Sequence, residues 1–391
     1  MAGPRAIGVV TVARSDYGHL RPVLEAIRAA AGLELRLFAA GAHLSSGLGE
    51  TVRAIEADGF PIAERIAIPV ESDAAADLAA AAGAGLAGFA RAFARHQPDL
   101  VVVLGDRLEM LSAAVAALPL TIPVAHVHGG EVTEGAIDEQ IRHAITKLSH
   151  LHFPAAEPFA RRILQMGEEP WRVHCVGAPG LDRLPRLAVL SRADLAARIG
   201  LPLRTPTLLV TLHPVTLEAE DTGAHVEELA EALARTEGDV IITSPGADTA
   251  YRTITRRLEA LAATRPGTRF VAALGEDAYC SLLREADVMV GNSSSGLIEA
   301  PSFALPVVNI GRRQHGRLRA ANVVDVGHGR EEILAGLRRA LDPAFRRGLA
   351  GLPNPYGDGH AAPRIVRVLG EVALGRRLVQ KRFVDGPAPE R

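Results

Sequence analysis

Only two cysteines, Cys175 and Cys280, occur in 391 residues, and they stand far apart. Neither a disulfide framework nor a zinc site can be built from them alone. Both lie in apolar strand or helix contexts and read as buried, inert thiols. A dominant charge of one sign is also missing: 43 Lys and Arg against 45 Asp and Glu leave a formal −2. That balance gives no electrostatic case for nucleic acid or an anionic membrane, so any bound anion must be caught by local groups. Long apolar runs are absent as well. The stretch around 110–127 is broken by Pro119 and Pro123, short of the roughly 20 residues a membrane helix needs. At the N-terminus Arg14 and Asp16 interrupt the apolar run, which reads as a first strand and not as a signal peptide. The turn Thr11–Tyr17 has strand–turn–helix form but lacks the spaced glycines of a dinucleotide fingerprint, so a nicotinamide cofactor is not supported. A soluble, cytoplasmic protein is expected.

What is present is a globular composition, 48% apolar and 23% charged, on a chain long enough for two domains. Short β-branched runs alternate with Ala-rich helical windows, the pattern of parallel βαβ units. Strands are expected at Ile7–Val12, Glu34–Ala39, Leu100–Leu104, Pro123–Val127 and Trp171–Val176. Helices are expected at His19–Ala30, Leu48–Asp58, Leu78–His96 and Leu108–Leu118. Gly and Pro cluster between 177 and 206, and the strand pattern then resumes at Thr207–Leu212, Asp239–Thr243, Thr268–Ala272, Val288–Val290 and Pro306–Ile310. The fold class is α/β, with two doubly wound, Rossmann-like domains over 1–180 and 181–360 facing a ligand cleft. A terminal helix over 361–377 packs back on the first domain, and Arg376–Arg391 frays.

Nucleotides bind such sheets at the carboxyl ends of the strands. There the second half reads Gly291-Asn292-Ser293-Ser294-Ser295-Gly296 between a strand and a helix. Unpaired backbone N–H groups, Ser hydroxyls and the helix dipole suit a phosphate, and small residues let it approach. Glu299, one turn on, is placed to take both hydroxyls of a ribose. Arg313, in the basic turn after the next strand, would close on a diphosphate with charge-assisted bonds. The plainer reading of the turn is a helix cap with a solvated glutamate. Arg14 could reach into the cleft, Asp16 could cap its helix, and His43 follows another strand end.

The acid–base groups gather in the first half. Asp106 follows a buried strand, and His126, His128 and Glu131 follow the next. On a strand His126 and His128 would share a face. A metal site would need a third well-spaced ligand, and none is evident, so proton transfer suits the cluster better. Asp138 opens a helix over Asp138–His150 with Arg142 one turn later as an i,i+4 partner. Clustered carboxylates shift one another's proton affinity toward useful values. His213 ends a strand of the second half, with Pro214 presenting the ring, and Asp248 is a weaker candidate.

The motifs ARSDYG, GDRLEM, HVHGGEVTEGAIDEQIRHAITKLSHLHF, HPVT, GNSSSGLIEAPSF, NIGRRQHGR and NPYGDGH together resemble the hydrolysing UDP-N-acetylglucosamine 2-epimerases of sialic and legionaminic acid biosynthesis. The resemblance runs from about residue 5 to 370. It implies the GT-B fold, a homodimer or homotetramer, and a reaction without a cofactor. UDP is eliminated across C1–C2 to give a 2-acetamidoglucal, and water adds to give free N-acetylmannosamine or its diacetamido-trideoxy counterpart. It implies that Asp106 and Asp138 are the sugar-side carboxylates and that His213 sits by the leaving UDP. Ser293 and Ser294 would hold phosphate, Glu299 the ribose, and Arg14 and Arg313 the diphosphate. From their positions in the sequence, Ser295, Gly296, His43 and Arg142 are further substrate-binding candidates. One position departs: some relatives carry Glu where His128 stands, with one residue fewer before the helix-opening Asp. Either His128 does the proton work or Glu131 substitutes. The rival readings are a non-hydrolysing 2-epimerase and a GT-B glycosyltransferase.

Overall fold

Strands with no exposed residue set the frame. In a computed structural model, residues 3–45, 51–69, 75–133, 137–215, 220–245, 251–272 and 274–386 are described. Two units emerge, Met1–Pro185 with Tyr356–Arg391, and Arg186–Pro355. The first holds β1 (Arg5–Thr11), β2 (Leu33–Ala40), β3 (Ile62–Ile66), β4 (Leu100–Leu104), β5 (Val124–Val127) and β6 (Leu151–Phe153). Helices α1 (Arg14–Ala29), α2 (Val52–Ala57), α3 (Ala75–His96), α4 (Leu108–Ala117), α5 (Ile137–Leu148) and α6 (Glu157–Gln165) connect or follow them. The second unit holds α7 (Arg192–Ile199), β7 (Thr207–Thr211), α8 (Thr222–Ala234), β8 (Asp239–Thr243), α9 (Tyr251–Thr264), β9 (Thr268–Val271), α10 (Glu276–Glu285) and β10 (Val288–Gly291). It continues through α11 (Ser295–Ile298), β11 (Val307–Ile310), β12 (Val323–Val326), α12 (Arg330–Ala340) and α13 (Pro343–Gly348). The chain then returns to the first unit as α14 (Ala361–Glu371) and α15 (Arg376–Val379).

Both sheets are parallel and share one topology. Their orders are β3-β2-β1-β4-β5-β6 and β12-β11-β10-β7-β8-β9. Each is a doubly wound sheet whose order reverses once, between β1 and β4 in the first and between β7 and β10 in the second. Side chains alternate between two buried layers, as a period of two requires. Ile7, Val9, Leu100 and Val102 pack with α1 and α14, while Val10, Val101 and Val103 pack with α3 and α4. In the second sheet Leu208 and Val210 pack with α8, α9 and α12, and Leu209 and Met289 with α7 and α10.

The chain ends are fastened by charge. Asp182, buried, accepts the first free amides of α14 from Ala361 (2.8 Å) and Ala362 (2.6 Å), which an unsatisfied helix start needs. The expected fraying from residue 376 does not occur over the described part of the tail. Arg172, fully buried, donates to the carbonyls of Leu378 (2.7 Å), Arg377 (2.9 Å) and Gln380 (3.2 Å). Lys381 reaches the buried Glu168 at 2.8 Å. Trp171–Val176, expected as a strand, is a 3₁₀ turn at Pro170–Arg172 followed by a single bridge between Val173 and His152. It lies beyond the sheet edge, where no full partner strand remains. No helix among the described residues is long and apolar enough to cross a membrane.

Candidate active site

At the carboxyl end of β1 the chain turns at once into α1, five residues earlier than the hydrophobic pattern suggests. Arg14 is the first helical residue and is exposed. Asp16, buried, turns its carboxylate back to the amides of Ala13 (2.9 Å) and Val12 (3.3 Å). Burial lifts its proton affinity to about pKa 6, with the Arg107 charge pulling the other way. His43 follows β2. Its ring nitrogens lie 2.9 Å from the Thr11 hydroxyl and 2.8 Å from that of Thr51. Burial, aided by Arg107, drops its pKa to about 4, so the ring is neutral near pH 7.

Asp106 follows β4 across Gly105 and forms an ion pair with the buried Arg142 of α5. Arg142 also donates to the Thr133 hydroxyl at 2.8 Å and lies 3.6 Å from Glu139. One guanidinium thus ties the end of β4 to the start of α5. Asp138 is in the first turn of that helix and is half-buried. His126, fully buried on β5, lies 2.7 Å from the Gly105 carbonyl and 3.1 Å from the Thr146 hydroxyl. Burial pulls its pKa down to about 3. It is a neutral brace for the residue before Asp106.

His128 lies one residue past the strand and adopts φ +62°, so strand alternation does not place it beside His126 as expected. Its Nδ1 meets Glu131 Oε1 at 2.5 Å, and its Nε2 is buried without a hydrogen-bond partner among the described residues. An ionised carboxylate only accepts, so against one the hydrogen of this bond lies on Nδ1. The intervening glycines are required by space. A Cβ on Gly129 would sit 2.9 Å from His126 Nδ1, and one on Gly130 2.4 Å from the Phe159 carbonyl oxygen. The His19 ring stands edge-on to His128, centroids 5.8 Å apart. His150 and His152 are buried structural groups: His150 accepts the Val124 amide at 3.1 Å, and His152 pairs with Glu168 at 3.0 Å.

In the second unit the strand ends of β7, β10 and β11 converge. His213 follows β7, and burial with the nearby Arg313 charge brings its pKa down to about 4. Asn292 follows β10; its side-chain amide accepts from His213 N (2.6 Å) and donates to His213 O (2.8 Å). The Asn292 carbonyl in turn accepts from Arg313 (3.2 Å) and Gln314 (2.8 Å). Ser293 and Ser294 form the turn; Ser295 and Gly296 begin α11, and Glu299 at its end is buried. The expected helix is a four-residue turn running into a 3₁₀ segment, Ala300–Phe303. Donor groups, rather than a long helix dipole, are what this turn offers an anion. One residue escaped the sequence reading: Asn292 was one letter in a small-residue motif. Thr216 of the HPVT motif and Asp248 lie outside the described residues. No cluster of potential metal ligands occurs among the described residues.

Two Rossmann-type units, one with paired acid–base groups at its strand ends and the other with a hydroxyl-rich turn, define a nucleotide-sugar enzyme of the GT-B class. The family model for UDP-N-acetylglucosamine 2-epimerase matches residues 25–370, and the chain belongs to that family. It is 38% identical over 378 residues to the UDP-N,N'-diacetylbacillosamine 2-epimerase (hydrolyzing) of Legionella pneumophila, covering 96% of this chain and 98% of that one. It is 37% identical to the GDP/UDP-N,N'-diacetylbacillosamine 2-epimerase (hydrolyzing) of Campylobacter jejuni, covering 82% and 84%. A putative UDP-N-acetylglucosamine 2-epimerase from Listeria monocytogenes, 19% identical, shares the fold with a TM-score of 0.80 over 94% of this chain and 96% of that one.

Proposed function

We propose that the chain is a hydrolysing 2-epimerase acting on a UDP-linked 2-acetamido sugar, with a 2,4-diacetamido-2,4,6-trideoxy sugar of the bacillosamine type as substrate. The observation that carries this reading is the near-full-length identity of 38% to a protein named for that hydrolytic reaction. The substrate class follows the names of the two relatives.

In the reaction a base removes the C2 proton, the C1–O bond breaks, and UDP leaves with the bonding electrons. Water then supplies hydroxide to C1 and a proton to the opposite face of C2. The first unit provides candidates for both proton steps. Asp106 and Asp138 are the sugar-side carboxylates, with Arg142 fixing Asp106. His128, held by Glu131 with Nε2 open, is suited to take or return a proton at a carbon. In the second unit Ser293, Ser294, Ser295 and Gly296 hold phosphate, Glu299 the ribose and Arg313 the diphosphate, and in the first unit Arg14 is the candidate for a diphosphate contact. His213, neutral near pH 7, offers the leaving group a hydrogen bond rather than a charge.

Incubation with UDP-N,N'-diacetylbacillosamine or UDP-N-acetylglucosamine in D₂O is expected to release UDP and a free manno-configured sugar carrying deuterium at C2 by proton NMR. A 2-epimer still linked to UDP would identify the non-hydrolysing reaction instead.

A further inference from the structure

We infer that Asn292 is the positioning residue that sets His213 and Arg313 in register with the Ser-Gly turn. This rests on reading the second unit as the UDP-binding one. β7 and β10 are the strands between which the sheet order reverses. Beyond them the chain parts: α8 packs on one face of the sheet and Ala300 on the other. Such a divergence leaves a crevice that backbone pairing cannot close.

The ladder's last rung joins Gly291 to Thr211. The strands are so close there that a Cβ on Gly291 would fall 1.9 Å from the Thr211 carbonyl oxygen. One residue further, the Asn292 side-chain amide does what a peptide group would do. It accepts from His213 N and donates to His213 O, at 2.6 and 2.8 Å. Its own main-chain carbonyl is thereby left to Arg313 and Gln314, at 3.2 and 2.8 Å. The residue is 1% exposed. Three strand ends therefore meet on one residue, and at its side chain only an amide of this length both donates to and accepts from His213. Asp has the shape but cannot donate to His213 O, and Ser does not reach both atoms.

The test is a double-mutant cycle on UDP binding by the full chain, read by calorimetry, with Asn292→Asp, Arg313→Ala and the double variant. Leaving buried partners of Asn292 unsatisfied should weaken UDP by about tenfold or more. Because Arg313 then already sits out of place, the double variant should lose little beyond the worse single one. KM for the nucleotide sugar should rise more than kcat falls, a split that general destabilisation does not produce. Asn292→Ser repeats the cycle without a buried charge should the Asp variant not fold. Losses that multiply in the double variant, or UDP binding unchanged by Asn292→Asp and Asn292→Ser, would overturn the inference. Failure of the unmodified chain to bind UDP would instead remove the functional reading on which it stands.

Discussion

At the scale of single residues, two side-chain pairings differ in kind. Arg142 is buried and fixes Asp106 between two elements. Among the described residues His128 is held through one nitrogen, on a backbone of φ +62° that costs a non-glycine residue roughly 1–2 kcal/mol. Such strain at a buried histidine supports the proton-transfer role proposed for His128. Asp106→Asn and His128→Gln are each expected to lower kcat by roughly 10²–10⁴-fold while UDP affinity stays within about twofold, since proton transfer and not nucleotide binding is lost. Steady-state kinetics beside calorimetric UDP titration check this; near-native turnover in either variant removes that residue from the mechanism. The sequence made these side chains legible because polar residues at the ends of buried strands have few structural uses. It could not separate His126 from His128. Both stand in one short motif, and only the strand's end at Val127 sends one into the core and the other to Glu131.

At the scale of elements, legibility followed burial. β1, β4, β7 and β10 are buried nearly throughout and rich in Val, Leu and Ile, and each was evident as a run. β3, β6 and β12 were missed. β3 and β12 lie at sheet edges and carry Glu64, Arg65 and Asp325 in short stretches, and β6 has only three residues. The tail was misread for a different reason: its anchor lies some two hundred positions away. Arg172 satisfies three carbonyls in and just beyond the last turn of α15, and no local pattern in 376–386 reports that. Arg172→Met should leave those carbonyls unpaired and release the segment. Limited trypsin digestion followed by mass spectrometry is expected to show cleavage at Arg376, Arg377 or Lys381 at least about tenfold faster than in the unmodified chain. Equal protection would mean that Lys381 and Glu168 suffice to hold the tail.

At the scale of the whole molecule, buried neutral histidines set the acid limit of stability. His43, His150 and His213 have pKa values brought down to about 4 and His126 to about 3, each chiefly by burial, from an ordinary 6.5. The unfolded chain accepts protons on these four rings that the native state refuses. Their stabilising contribution is therefore complete above pH 6.5 and is lost as pH falls from 6.5 toward 4. Asp16 opposes this: raised from 3.8 to about 6, it stabilises the native state below 3.8 and loses that contribution as pH rises through 6. Glu168 acts lower still. Held down to about 2 against the salt-bridging lysines and His152, it contributes fully above 4.5 and loses that contribution only as pH falls toward 2. Near pH 5, then, four histidines outweigh one aspartate, and unfolding must take up protons, each adding about 1.4 kcal/mol per pH unit to the slope. Urea midpoints measured at pH 7, 6 and 5 are expected to fall progressively, with the steepest loss below 6. His126→Asn, which removes the most shifted of these four rings, should flatten that slope even though it lowers stability at pH 7. Midpoints that hold steady from pH 7 to 5 would show that these rings are hydrated or charged in the native protein, and that the strand ends they brace are looser than the packing around Gly105 and Gly129 implies.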